Sequence, residues 1–205
     1  MHMTDKYINW QQPILKHQNH LPHWQQTQSL QFITWHLGDS ISVPARKKLE
    51  TEKAQWLKQN PKPWSSQTER EYYEKFQGRI QQWLDAGIGS CILRKRENRE
   101  ILTQILWNRN NMDYSLDAFI VMPNHVHVIL QIHENQQLEQ IMQSLKSVSS
   151  HQINKYRKTT GQIWMEDYWD RMIRNETHHF RVRRYIQNNP IKAKLNADEY
   201  SLWMK

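Results

Sequence analysis

Residues 114–132 read YSLDAFIVMPNHVHVILQI, two apolar runs separated only by Pro123 and Asn124. Each run has strand length and is rich in β-branched and aromatic residues. A Pro-Asn pair turns a chain tightly, because proline presets φ and asparagine tolerates unusual backbone angles. The spacing therefore predicts an antiparallel hairpin of residues 114–122 and 125–132. Side chains alternate across a strand, so Val126, Val128 and Leu130 share one face while His125 and His127 share the other. One face suits a core. The other carries two imidazoles whose Cα atoms lie about 7 Å apart, within reach of one ion.

The remaining pattern surrounds this hairpin with strands and helices. SLQFITWHL, residues 29–37, alternates Leu30, Phe32, Thr34 and His36 with Gln31, Ile33, Trp35 and Leu37 and predicts a strand. Helical residues follow from 44 to about 60, where NPKPW interrupts them with two prolines. A second helix is expected over 68–86, with Tyr72, Phe76, Ile80 and Trp83 or Leu84 three and four apart. The two make a helical hairpin inserted after the first strand. GIGSCIL at 87–93 reads as a turn and short extended piece, and 97–108 as a helix through Ile101, Ile105 and Leu106. Residues 137–157 predict a helix with Leu138, Ile141, Met142, Leu145 and Val148 on one stripe. Residues 162–173 read as extended or irregular, and Asn175 is expected to cap a last helix that Pro190 stops. A central hairpin among mixed elements favours an α+β fold, an antiparallel sheet with helices on it, of which the ferredoxin-like split βαβ is the simplest version. Residues 1–27, rich in Gln, His and Asn, are expected to form an irregular arm.

A chain of 205 residues accommodates one domain with an insertion. Lysine and arginine total 28 against 20 acidic residues, a formal charge of +8, which favours an anionic partner, nucleic acid first among them. The single cysteine, Cys91, excludes an internal disulfide or a cysteine zinc site and points to a reducing compartment. No apolar stretch approaches the ~18 residues of a membrane span, and residues 1–20 lack the apolar core of a signal peptide. A cytoplasmic protein with no membrane partner is the expectation.

The stretch NETHHFRVRRYIQNNP, residues 175–190, offers a third ligand for the imidazole pair. Tyr185 and Asn189 are four apart and project from one side of a helix. An amide oxygen can complete a site for a hard ion, and a tyrosine one turn away can present its hydroxyl to a phosphate held there. Tyr185 fits equally a side chain packing at the helix edge beside Val182 and Ile186. His178 and His179 are adjacent on the helix, about 100° apart, and cannot both face one ion, so capping or packing is expected of them. Glu166 and Asp167 are expected in surface pairs. The lack of an HExxH-type glutamate disfavours a zinc hydrolase.

The hairpin DAFIVMPNHVHVIL, the segment GQIWMEDYWDRMIRNETHHF and the helix RYIQNNPIKAKL resemble, in order and spacing, the single-tyrosine HUH transposases. The closest likeness is to their REP-associated branch, the RAYT proteins. It covers roughly residues 28–197, with the helical insertion at about 44–86, between an N-terminal arm (1–27) and a C-terminal tail (198–205). The resemblance implies an HUH-endonuclease sheet with His125, His127 and Asn189 as ligands of a divalent metal, Mg²⁺ or Mn²⁺. Relatives often carry glutamine at the place of Asn189. It also implies Tyr185 as the nucleophile that cleaves single-stranded or hairpin DNA at REP-like repeats through a 5′-phosphotyrosine. Arg181 is a candidate for holding the phosphate. Arg183, Arg184, Lys146, Lys155, Arg157, Lys158, Lys192 and Lys194 are candidates for backbone contacts, and a solvated basic face accounts for them as well. No obligate protein partner is implied, and either a monomer or a homodimer fits. The competing expectation is a domesticated module that binds structured single-stranded nucleic acid without cleaving it.

Overall fold

The computed structural model of the chain describes residues 6–18 and 22–205. Its centre is a five-stranded sheet built around the expected hairpin, β4 (Tyr114–Val121) and β5 (His125–Ile132). The strand β3 (Leu30–His36) pairs with β5 on the other side, with Thr34 opposite His127 and His36 opposite His125. Two short strands, β6 (Trp169–Met172) and β7 (Ser201–Met204), form the edges, giving the order β6-β3-β5-β4-β7, antiparallel throughout. The first four of these strands have the ferredoxin-like arrangement expected from the sequence.

Alternation divides the sheet into two faces, each with its own core. Ile33, Trp35, Val126, Val128 and Leu130 point to the face covered by α4 (Arg96–Arg109) and α5 (Leu138–Arg157). On that side α5 buries Leu138, Ile141, Met142 and Leu145 as its period requires, but Val148 is exposed and Ser149 and Ile153 continue the stripe. The 3.6-residue repeat explains the drift, since a stripe extended by steps of three leaves the buried face. On the opposite face Phe32, Ala118, Ile120 and Ile129 pack against Val182 and Ile186 of α6 (Glu176–Lys192). The α6 helix starts at Asn175, whose side chain accepts the His178 amide. It does not stop at Pro190 but continues to Lys192.

The insertion comprises α1 (Val43–Gln59), α2 (Ser66–Tyr72), a π-helical turn (Tyr73–Gln77) and α3 (Gly78–Asp85). Its helices pack through a core of their own, in which Leu49, Trp56 and Phe76 are buried and Trp64, Tyr72, Ile80 and Trp83 close around them.

Two terminal expectations are corrected. Within 1–27, β1 (Leu15–Gln18) and β2 (Pro22–Gln25) form an antiparallel hairpin; residues 1–5 and 19–21 lie outside the described residues. Gln25 ties β2 to the body of the fold. Its side-chain oxygen accepts the Leu138 amide at 2.7 Å and its nitrogen donates to Gln136 O at 2.7 Å, so it caps α5. Residues 198–205 are likewise not a free tail, because β7 lies against β4, and Arg99, 2% exposed, donates to Ser201 Oγ and to the Asp198 carbonyl.

Candidate active site

His125 and His127 lie on the α6-facing side of the central strand, each 1% exposed. Burial of such groups requires that their nitrogens be partnered, and the partners here fix the tautomers. Asn124 Nδ2 donates to Ile88 O at 3.1 Å, which leaves its Oδ1 facing His125 Nδ1 at 2.8 Å. An oxygen there can only accept, so His125 carries its proton on Nδ1 and Nε2 keeps a free lone pair. No hydrogen bond of good geometry reaches that Nε2, although the Asn189 side chain lies near enough to His125 to oppose part of the lowering of its pKa. Thr34 Oγ1 meets His127 Nδ1 at 2.7 Å, and Tyr185 Oη and Asn189 Nδ2 each lie 3.3 Å from His127 Nε2. With the tyrosine hydroxyl and the amide donating to Nε2, Nδ1 is again the protonated nitrogen.

Electrostatics support neutral imidazoles at both positions. Burial, reinforced by the neighbouring rings of His127 and His36, holds the His125 pKa well below the ordinary value, and burial alone brings His127 down to about 3. Burial also raises the Tyr185 phenol above its usual range, and the nearby Asp85 carboxylate adds to the effect, so the hydroxyl is protonated.

Three expected site residues thus converge with the fourth. His125, His127 and Asn189 meet at one place, with Tyr185 beside them, and two of their atoms are buried without partners, His125 Nε2 and Asn189 Oδ1. A half-turn of the Asn189 amide exchanges its nitrogen for that oxygen. Two neutral imidazole lone pairs and an amide oxygen form a donor set suited to a divalent cation. Imidazole N–H groups held by an oxygen on the far side of each ring are the usual support for such ligands.

The helix that carries Tyr185 and Asn189 is fastened to the sheet by an ion cluster. At Asp117 the β4–β5 register shifts by one residue, and the Asp117 Oδ2 accepts His179 Nε2 at 2.8 Å and an Arg183 N–H at 2.7 Å. Burial opposes charge on Asp117, but His179 and Arg183 outweigh it and hold the carboxyl below its ordinary range. His179 therefore packs as expected, whereas Arg183 is committed to Asp117 and to the Lys205 carbonyl rather than to solvent.

The other basic candidates are dispersed. Lys192 lies over the Tyr185 ring at 5.6 Å, and Arg181 lines the cavity that Tyr185 faces. Lys146 is tied to the Glu166 carbonyl; Lys155, Arg157 and Lys158 sit exposed at the end of α5, with Arg157 lining a separate cleft beside Arg46. Arg184 and Lys194 are exposed. Asp167 is not in a surface pair: with Asp170 it encloses the buried His23.

Sequence reasoning missed Thr34, Asn124 and Asp117. Thr34 alone left a signal, since its place in the β3 alternation puts it on the face that carries Phe32 and His36.

Comparison with known proteins adds the following. Residues 91–189 match the family model described as IS200-like transposase. A Haemophilus influenzae protein of uncharacterised function is 26% identical across 37% of this chain, which spans about half of that relative (54%). A REP-associated tyrosine transposase solved with a REP hairpin aligns over 85% of this chain and 74% of its own at 16% identity and a TM-score of 0.48. A Deinococcus radiodurans R1 protein described as a candidate transposase aligns over 78% of this chain and 89% of its own, at 15% identity and a TM-score of 0.33. No helix among the described residues is long and apolar enough to cross a membrane.

Proposed function

We propose that this chain, whose residues 91–189 match the IS200-like transposase family model, cleaves and rejoins single-stranded DNA at hairpin-forming, REP-like repeats, with Tyr185 as the nucleophile. The observation that carries this reading is the convergence of Tyr185 Oη and Asn189 on His127 Nε2 beside the unpartnered His125 Nε2. His125, His127 and Asn189 would hold Mg²⁺ or Mn²⁺. Such an ion, when bound, neutralises charge on the scissile phosphate and favours ionisation of the phenol.

The protein's own groups set the rest of the chemistry. His127 Nε2 has one lone pair, so Tyr185 is released from its hydrogen bond when that lone pair is committed elsewhere. The freed oxygen attacks phosphorus, a bond forms between Tyr185 and the 5′ phosphate, and the bond to the 3′ oxygen breaks. The phenolic proton is lost to water and the departing 3′ oxygen takes one up, so the step is proton-neutral. The phosphodiester energy is retained in the tyrosyl ester, and attack by a 3′ hydroxyl reverses the step without an outside energy source.

Labelled single-stranded DNA carrying palindromic repeats, incubated with the protein and Mn²⁺ or EDTA and run on a denaturing gel, tests this reading. A Mn²⁺-dependent covalent adduct should form and be lost in Tyr185→Phe and His125→Ala. Tight binding without cleavage on repeats of varied stem and loop would favour a non-cleaving binding module instead.

A further inference from the structure

The helical insertion does more than extend the fold, because it stands over the face that carries Tyr185. Between the two lies a cavity of about 830 Å³. Phe32 and Thr34 of β3 and His127 of β5 form its floor, Arg181 and Tyr185 of α6 one wall, and residues of α1 and α3, Lys53 and Trp83 among them, its roof. The volume falls within the range of small-ligand pockets, about 300–1,000 Å³, which accommodates a nucleoside with its phosphate.

The geometry points to a pocket for an unpaired nucleobase of the DNA strand next to the scissile phosphate, roofed by the insertion. This rests on the cleavage reading above. Three observations favour that occupant. First, Tyr185 lines the cavity, so whatever fills it is contiguous with the atom that Tyr185 attacks. Second, flat rings are presented to it: Trp83 and Trp169 are only partly buried, and the Phe32 ring meets Tyr185 edge-on at 6.0 Å and Trp169 at 5.5 Å. Aromatic faces beside cations are the usual platform for single-stranded bases. Third, the charge is complementary. Arg181 makes no ion pair among the described residues and the half-buried Lys53 lines the cavity with it, while two of the carboxylates on the wall are already engaged, Glu50 with Arg46 and Asp167 with His23, and both also face Lys53. Glu166 is exposed at the rim.

The test uses full-length Tyr185→Phe protein, which binds without cleaving, and a single-stranded oligonucleotide of randomised sequence with 5-iodouracil in place of thymine. Irradiation cross-links iodouracil to aromatic side chains in contact with it, and mass spectrometry of the digested product locates them. Cross-links at Trp83, Phe32 or Trp169 are expected. Trp83→Leu should reduce the cavity cross-link and weaken binding roughly five- to tenfold, the loss carried by one stacked base, and Trp83→Phe should restore both. Cross-links confined to the end of α5, or absent altogether, overturn the pocket. Adduct formation by the wild-type chain on the same DNA is scored separately. An adduct without a cavity cross-link sinks the pocket alone, whereas a cavity cross-link without an adduct overturns the cleavage reading and, with it, the placement of the base beside a scissile phosphate, and leaves single-strand binding in the cavity.

Discussion

At the scale of single residues, the two buried imidazoles depend on oxygens that have no chemistry of their own. Thr34 Oγ1 accepts the His127 Nδ1 proton at 2.7 Å and so keeps Nε2 available. Thr34→Val keeps the shape and removes the acceptor, and should weaken Mn²⁺ binding about 10- to 100-fold by calorimetry. Unchanged affinity would show that Thr34 does not orient the ring. A different residue, His23, should govern stability in alkali. Burial opposes its charge, but hydrogen bonds to Asp167 and Asp170 outweigh burial and push its pKa from 6.5 up to about 9. A raised histidine pKa stabilises fully below pH 6.5, loses ground as pH rises and contributes nothing above about pH 9. The melting temperature should therefore decline across that window in the wild type and decline less in His23→Gln. Spacing put His125 and His127 on one strand face and Tyr185 and Asn189 on one helix side, because periods of two and four report which side chains share a face, but the roles given to them came from the resemblance to the HUH transposases. Asp117, Asn124 and His23 were not, since each gains meaning from a partner far along the chain or from a turn carbonyl that spacing does not reveal.

At the scale of elements, α6 delivers two of the four site residues, and its seat on β4 is the Asp117 cluster. Asp117→Ala removes the carboxylate shared by His179 and Arg183, leaving Arg183 only its bonds to the backbone carbonyls of residues 117 and 205, and should cost about 1–3 kcal/mol in denaturant unfolding. Adduct formation should fall with it, in turnover more than in DNA affinity; a stable variant with full turnover would contradict the clamp. The insertion, by contrast, has its own core separate from those on the two faces of the sheet. Phe76→Ala, at a site 1% exposed, should cost about 3–5 kcal/mol locally. Hydrogen exchange should then rise across residues 43–85 and leave β3–β5 protected. Loss of protection throughout would show the insertion and sheet to be one cooperative unit. Long periodic helices and the central hairpin were readable in the sequence. The strands β1, β2 and β7, each four residues long, were not, since four residues are too few to display a period.

At the scale of the whole molecule, the sequence could not say which face of the sheet the insertion covers, because that depends on contacts between segments that alternation treats as equivalent. Its position over Tyr185 gives the +8 charge a local meaning, with Arg181, Lys53 and Lys192 gathered around the site while other cations lie at the end of α5. Binding of single-stranded DNA should weaken steeply with salt, log K falling by about 0.7 per phosphate contact for each decade of salt. The cleavage chemistry turns on which of the eight tyrosines is the nucleophile. The most direct measurement is tandem mass spectrometry of the protein after reaction with repeat-containing DNA and Mn²⁺ and exhaustive nuclease digestion. A nucleotide remnant linked to Tyr185 is the predicted result, and a remnant on any other residue, or none on a protein that has cut the DNA, would contradict it.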